Sequence, residues 1–254
     1  MVAAGLAAGQ SPSEVFVVEG SEAADAAAND PALAGLRVLT LTRRVAEKLT
    51  TLQTAPDVMG VFALPSAPPL ESLASPAAVV VYADRIADPG NMGTLIRAAA
   101  AFAAAALVAS PGCVDLFSPK VVRASMGAVF SLPLYPDTAL GEVTRALGQA
   151  QVYGLVAHGG EPLPRAALSR PAVVCVGSER AGIEPPVLRQ VARRLTIPLA
   201  PGGRGGVESL NAGVAGAVAL YEFSRRAGDV VGHTPVAERP DGAVTEEHTS
   251  EEHT

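Results

Sequence analysis

Residues 78–97 read AVVVYADRIADPGNMGTLIR, and the residue types fall in the order strand, turn, helix. Ala78 to Ala83 is an unbroken apolar run of strand length. Asp88-Pro89-Gly90 is strong turn chemistry, because proline presets φ and glycine accepts almost any φ. Asn91 is then placed to cap the helix that follows, its side-chain oxygen accepting from an early backbone N–H. Arg97 stands within two turns of it. By spacing alone the segment is also a capped helix bearing a surface arginine.

Outward from this stretch the chain alternates regularly. Residues 78–83, 104–109, 129–134, 151–157, 172–176 and 194–198 are strand candidates, and 92–102, 118–126, 138–149, 185–191 and 209–226 are helix candidates. Near-continuous apolar strands between helices predict an α/β fold whose parallel sheet is covered on both faces. Such sheets bind ligands beyond the carboxyl ends of their strands. The alternating region is expected to form one domain, 77–228. Before it, 66–76 (SAPPLESLASP) reads as a linker. Residues 1–65 form a front unit, with short strands at Val15–Val18 and Arg37–Leu41 and a helix over Arg43–Leu52. Residues 229–254 are polar, end in EEHTSEEHT, and are expected to be disordered.

Composition narrows the field. Hydrophobic residues are 49% of the chain but aromatic residues only 4%, with no Trp, so the core must be built from Ala, Val and Leu. The net charge of −6 resides wholly in the tail, which holds seven of the 25 acidic residues and one of the 19 basic ones. The remaining 228 residues are neutral, so any RNA contact must rest on a local basic patch rather than on overall charge. Lys120 and Arg123, at i, i+3 spacing on one helix, can contact phosphate or pair with carboxylates. Cys113 and Cys175 match no metal-ligand spacing and read as core residues of a cytoplasmic protein. No basic segment precedes an apolar one in the manner of a signal peptide. The small-residue run Ala98–Ala109 is too short to span a bilayer, so no membrane partner is expected.

Two further segments carry candidate chemistry. In Val173–Gly182 (VVCVGSERAG) an apolar strand enters a glycine-flanked turn. Gly177 there permits a close backbone approach, and Glu179 stands at the strand's carboxyl end. Glu179 can equally be a helix cap or a solvated turn residue. In the third segment, Leu195–Leu199 (LTIPL) leads through a glycine-rich loop to Glu208-Ser209-Leu210-Asn211 and a helix. Ser209 and Asn211 lie at the helix start, where free N–H groups and the dipole favour polar or anionic ligands. Ser209 also reads as a plain N-cap. The helix is rich in Gly and Ala, suited to tight packing or to a dimer seam. Gly202–Gly206 (GGRGG) lacks the Lys-Ser/Thr of a P-loop and the spacing of a dinucleotide fingerprint, which disfavours a nicotinamide enzyme. His158, after a strand, reads as a passive loop residue.

Together, in this order, the three segments resemble the motifs DP-x-N-x-G-x-x-x-R, G-x-E-x-x-G and IP followed by ESLN of the SpoU (TrmH-like) branch of the SPOUT methyltransferases. The stretch Ser118–Ala128 (SPKVVRASMGA) is also typical of that family, and the resemblance covers roughly 77–226. It implies a catalytic domain with a C-terminal deep trefoil knot, a homodimer, and S-adenosylmethionine as methyl donor to a ribose 2′-hydroxyl of tRNA or rRNA. Asn91, Arg97, Glu179, Ser209 and Asn211 take the motif positions of the catalytic set. Arg97, with Lys120 and Arg123, is expected to bind RNA. Arg97 is best read as binding and orienting the ribose-phosphate, because a guanidinium is normally always protonated. Backbone near Ala157, Gly177, Ile197 and Leu210 is expected to hold the donor. No metal is implied.

Three departures accompany the resemblance. Phe102 is followed by Ala103 where the family often has Gly, Arg180 replaces a glycine after the motif glutamate, and Ala200–Val207 lengthens the third motif. The lengthened third motif, together with a shortened front end, motivates an alternative expectation, a non-catalytic RNA-binding relative with an impaired donor site. The front unit is expected to be a shortened relative of the L30e-like RNA-binding domain. Ser13–Val18 would be its second strand, and the first strand and basic segment would be missing through truncation or a misassigned start.

Overall fold

The computed structural model describes residues 1–50, 52, 54–200 and 209–227. The glycine-rich loop, Glu208 and the acidic tail lie outside the described residues. The front unit runs α1 (Val2–Ala7), β1 (Glu14–Val18), α2 (Glu22–Asn29), β2 (Val38–Leu41), α3 (Arg43–Leu49) and β3 (Val58–Val61). The main unit continues with β4 (Val79–Asp84), α4 (Pro89–Ala101), β5 (Ala106–Ala109), α5 (Pro119–Ala124), β6 (Leu134–Tyr135), α6 (Leu140–Leu147) and β7 (Gln151–Leu155). It ends with β8 (Glu161–Pro162), β9 (Ala172–Gly177), α7 (Pro185–Leu188), β10 (Arg193–Thr196) and α8 (Ala212–Ala227).

The main sheet has seven strands in the order β6-β5-β4-β9-β7-β10-β8, and every pairing is parallel. Central β4 and β9 are buried at every residue, the pattern of a sheet covered on both sides. Val79, Val81 and Ala83 belong to the core beneath α4, α5 and α8. The alternate residues Val80 and Tyr82 belong to the core beneath α6 and α7. The front sheet is β2-β1-β3, with β2 parallel and β3 antiparallel to β1. It meets the main unit where the Phe62 and Phe130 rings pack with centroids 4.8 Å apart.

The strand expected over 129–134 is mostly absent. A 3-10 turn, Ala128–Phe130, occupies its start, and only Leu134–Tyr135 pairs. Pro133 cannot donate to a ladder, and Val129 and Phe130 are drawn into packing instead. Short α2, β3 and β8 were not anticipated either, whereas α1 stands where the end of a helix was expected before Ser13. The stretch 66–76 packs down rather than hanging free, with Leu73 buried and the Tyr135 hydroxyl donating to the Pro68 carbonyl at 2.7 Å.

Helix α4 lies at the centre of the helical layer. Asp88 accepts from the Asn91 N–H at 2.8 Å, and Pro89 fills the first position, where its missing donor costs nothing. Met92, Leu95, Ile96 and Ala99 recur at helical spacing and are all 0% exposed; burying a side chain of the Leu or Ile kind contributes about 1.5–3 kcal/mol. Two neighbours approach α4 closely. A Cβ on Gly93 would lie 2.3 Å from the Ala124 Cβ of α5, and one on Gly216 of α8 would lie 2.3 Å from a Leu95 methyl. The helix ends at Phe102. Ala103 follows with φ +53°, and Ala104 N–H reaches back to the Ala99 carbonyl at 2.9 Å, the closing bond of a Schellman motif.

The far end of α8 is tied by arginines. Arg226 donates to the carbonyls of Leu163 at 3.0 Å, Pro164 at 2.8 Å and also Ala166. Glu222 pairs with both Arg225 and Arg226, and hydrogen bonds from these guanidinium groups hold its carboxyl down to about 2.

Two sets of variants test these packing arguments. Gly93→Ala must push α5 from α4 and is expected to lower stability by about 1–3 kcal/mol. Ala103→Gly relieves a left-handed alanine and is expected to raise stability by about 0.5–1 kcal/mol. Urea titrations of both variants check the opposite signs. Because the Glu222 carboxyl is depressed in the fold, its contribution is present above the unfolded carboxylate range and is lost as pH falls toward 2. The stability gap between wild type and Glu222→Gln should therefore shrink from pH 5 to pH 2; a gap independent of pH would mean that the ion pairs contribute nothing.

Candidate active site

A cavity of about 470 Å³ opens beyond the carboxyl ends of β7, β9 and β10, walled by Leu155, Val176, Leu195 and Ile197. Its size lies within the range of small-ligand pockets, roughly 300–1,000 Å³. Ala212 and Ala215 of α8 line its side. The four positions expected to hold the donor, Ala157, Gly177, Ile197 and Leu210, all line it, together with His158, Glu179 and Ser209.

The floor is shaped by a hairpin at the end of β9. Ser178 and Gly182 exchange backbone hydrogen bonds of 3.0 and 2.9 Å. A Cβ at Gly177 would fall 2.1 Å from the Gly182 carbonyl carbon and 2.2 Å from the Ile183 nitrogen, so only glycine lets the chain fold back here. The hairpin is moored to β4 by Asp84, whose buried carboxylate accepts from the Glu184 N–H at 2.7 Å. Asp84 was not singled out in the sequence, although an acid ending an apolar strand is the signal that marks it. Nearby thiols are inert: burial pushes both Cys175 and Cys113 up.

Above the cavity three side chains form one directional chain. The Val214 N–H donates to Asn211 Oδ1 at 3.2 Å, Asn211 Nδ2 donates to Asn91 Oδ1, and Asn91 Nδ2 donates to Glu179 Oε1. Its ends fix its polarity. A carboxylate can only accept and a backbone N–H can only donate, so each amide has one orientation that satisfies both neighbours. Two expectations are corrected. Asn91 does not cap α4, because Asp88 does so and frees the amide for the site. Asn211, not Ser209, caps α8, while Ser209 stays exposed at the cavity.

The structure thus joins Asn91, Glu179 and Asn211 directly and places Ser209 beside them. Arg97 lies further along α4 and is exposed; no hydrogen bond or ion pair reaches it among the described residues. Lys120 is exposed and Arg123 half-buried on α5, which packs against α4 at Gly93. None of the three lines the cavity.

Asn91→Asp tests the polarity of the chain. The atom facing Glu179 becomes an oxygen, and two carboxylates must share one contact. One carboxyl is then raised above its unfolded value, so the penalty is absent in acid and develops as pH rises through that value. Thermal melts should show the variant near wild type at pH 4 and weaker by about 1–2 kcal/mol at pH 7.5. An equal deficit at both pH values would mean that the Asn91 donor does not face the carboxylate.

Comparison with known proteins bears on this geometry. The model of the SpoU rRNA Methylase family matches residues 78–221. An uncharacterised tRNA/rRNA methyltransferase of Synechocystis is 36% identical over 145 residues, covering 56% of this chain and 52% of that protein. The chain therefore spans about half the length of that relative. A 23S rRNA (guanosine(2553)-2′-O)-methyltransferase of Bacillus subtilis is 30% identical over 190 residues, covering 74% of this chain and 73% of that protein. Among solved structures, the SpoU methyltransferase AviRb of Streptomyces viridochromogenes in complex with the cofactor AdoMet superposes with a TM-score of 0.75 at 26% identity, covering 89% of this chain and 87% of that one.

Proposed function

Because the chain belongs to the SpoU rRNA Methylase family, we propose that it transfers a methyl group from S-adenosylmethionine to a ribose 2′-hydroxyl of RNA. The observation that carries this reading is the chain Asn211–Asn91–Glu179, which ties together one residue from each of three separated motifs and ends at Glu179 in the cavity lining. The B. subtilis relative, a 23S rRNA 2′-O-methyltransferase, favours ribosomal over transfer RNA as the substrate.

The residues present fit the donor. The walls Leu155, Val176, Leu195 and Ile197 offer an apolar slot for adenine, while backbone at Ala157, Gly177 and Leu210 supplies polar groups at the edge. Bound there, the sulfonium supplies an electrophilic methyl group. The protein's own part is placement: Asn91, Glu179, Ser209 and Asn211 fix the geometry at the cavity mouth, and exposed Arg97 holds the ribose-phosphate. Orientation of this kind supplies much of the rate. Lys120 and Arg123 extend the RNA contact along α5.

The same reading assigns a deep trefoil knot to the segment around α8 and an L30e-like RNA-binding role to residues 1–65. It also gives a homodimer. Val214, Val218 and Tyr221 are exposed at i, i+4, i+7 on α8, an apolar stripe that a second copy would cover. A cytoplasmic site of action fits an RNA substrate, and no helix among the described residues is long and apolar enough to cross a membrane. The alternative, an RNA-binding relative with an impaired donor site, rests on the loop 201–206 outside the described residues; the open cavity and the complete amide chain favour the enzyme.

Calorimetric titration of S-adenosylmethionine, paired with mass spectrometry of ribose-methylated nucleosides from treated rRNA, tests the proposal. The wild type should bind the donor and methylate. Arg97→Ala should keep donor affinity and lose methyl transfer by about 100-fold or more. Asn211→Ala should weaken both. A folded wild-type protein that binds no donor would transfer the lead to the non-catalytic reading.

A further inference from the structure

The hairpin Ser178–Gly182 raises two charged side chains to the cavity, and only one of them is engaged. Glu179 accepts from Asn91. Arg180, its neighbour, is exposed, lines the cavity, and has no hydrogen bond or ion pair among the described residues. It is also the one arginine or lysine among the described residues that line the cavity. Elsewhere in the fold, Arg37, Arg43, Arg193, Arg225 and Arg226 are all committed to carboxylates.

Under this free side chain the backbone is held firmly. Ser178 and Gly182 bond to each other in both directions. The Ala181 N–H donates to Ser178 Oγ at 3.3 Å, and Asp84 moors the hairpin's exit. A fixed base carrying an uncommitted guanidinium presents a ligand contact at small cost, since no internal pair has to break when an anion arrives. The fork geometry of guanidinium suits a carboxylate in particular, through two parallel N–H···O bonds.

The donor supplies such a group. Its adenosine end is suited to the apolar walls, but its amino-acid end carries a carboxylate that cannot be left against Leu155 or Val176 without a partner. Glu179 repels it. Resting on the donor reading above, the geometry points to Arg180 as the residue that takes the donor's α-carboxylate at the mouth of the cavity. Arg180 thereby replaces, with a side chain, a contact that a glycine at this position could make only through its backbone.

The test uses the full chain and three ligands. S-adenosylhomocysteine and 5′-deoxy-5′-methylthioadenosine share the adenosine and thioether and differ in the amino-acid end; S-adenosylmethionine completes the set. Arg180→Ala should weaken S-adenosylmethionine and S-adenosylhomocysteine about tenfold and leave methylthioadenosine within twofold of wild type, and Arg180→Lys should recover part of the loss. An equal loss for all three ligands would overturn the assignment in favour of a distorted hairpin. Unchanged donor affinity with weaker RNA binding and a flatter salt dependence would overturn it in favour of a phosphate contact. If the folded wild type binds none of the three, the donor reading itself fails, an outcome distinct from a failure at Arg180.

Discussion

A carboxylate, two amides and a helix N–H stand in line across the top of the sheet, and the placement of everything around the cavity follows from them. Asn91 is 88 residues from Glu179 and 120 from Asn211. Each contributes the end of a different element: the start of α4, the turn after β9 and the start of α8. Asn91 is 8% exposed, so a broken link would strand a polar group where water reaches poorly, at about 1–3 kcal/mol. Helix starts ordinarily satisfy their own N–H groups locally. Here α4 uses Asp88 for that purpose, and Asn91 is released to join the other two elements.

Close packing makes this line possible. Gly93 brings α5 against α4, and Gly213 and Gly216 bring α8 against it. A Cβ on Gly213 would come 2.9 Å from the Asn91 carbonyl oxygen, at the level of the amide contact itself. On the opposite side, Arg193 and Arg226 grip the segment that follows the cavity wall at Ala157 and His158, through the Ala167 carbonyl and the carbonyls of 163, 164 and 166. Side-chain hydrogen bonds at one end of α8 and arginine–carbonyl bonds at the other fix its position along the cavity.

Much of this was legible in the residues. The apolar runs at β4 and β9 read as buried strands, and Asp88-Pro89-Gly90 read as a turn leading into a helix. Gly177 reads as a close approach, and the structure supplies the backbone atoms it approaches. What periodicity could not supply was contact. Nothing in the spacing of Asn91, Glu179 and Asn211 says that they touch, and the order of the motifs grouped them only through resemblance. Local rules also misled where two residues competed for one task. Asn91 and Asp88 are both good caps, and proline at the first helical position decided for Asp88. Over 129–134 the apolar content suggested a strand, but Pro133 and the pull of Phe62 on Phe130 produced a turn.

The left-handed alanine at the end of α4 belongs to one half of the chain, but the amide line does not. Its last member, Asn211, sits in the final fifth of the 254 residues. During synthesis the central strands, their apolar walls and Arg97 all leave the ribosome before the residue that closes the line. A chain stopped short of α8 has the strands of the sheet but lacks both the Asn211 amide and the Val214 N–H that complete the line. The closure of the line therefore waits on the last of the three elements to be made, whatever the order in which the sheet itself assembles.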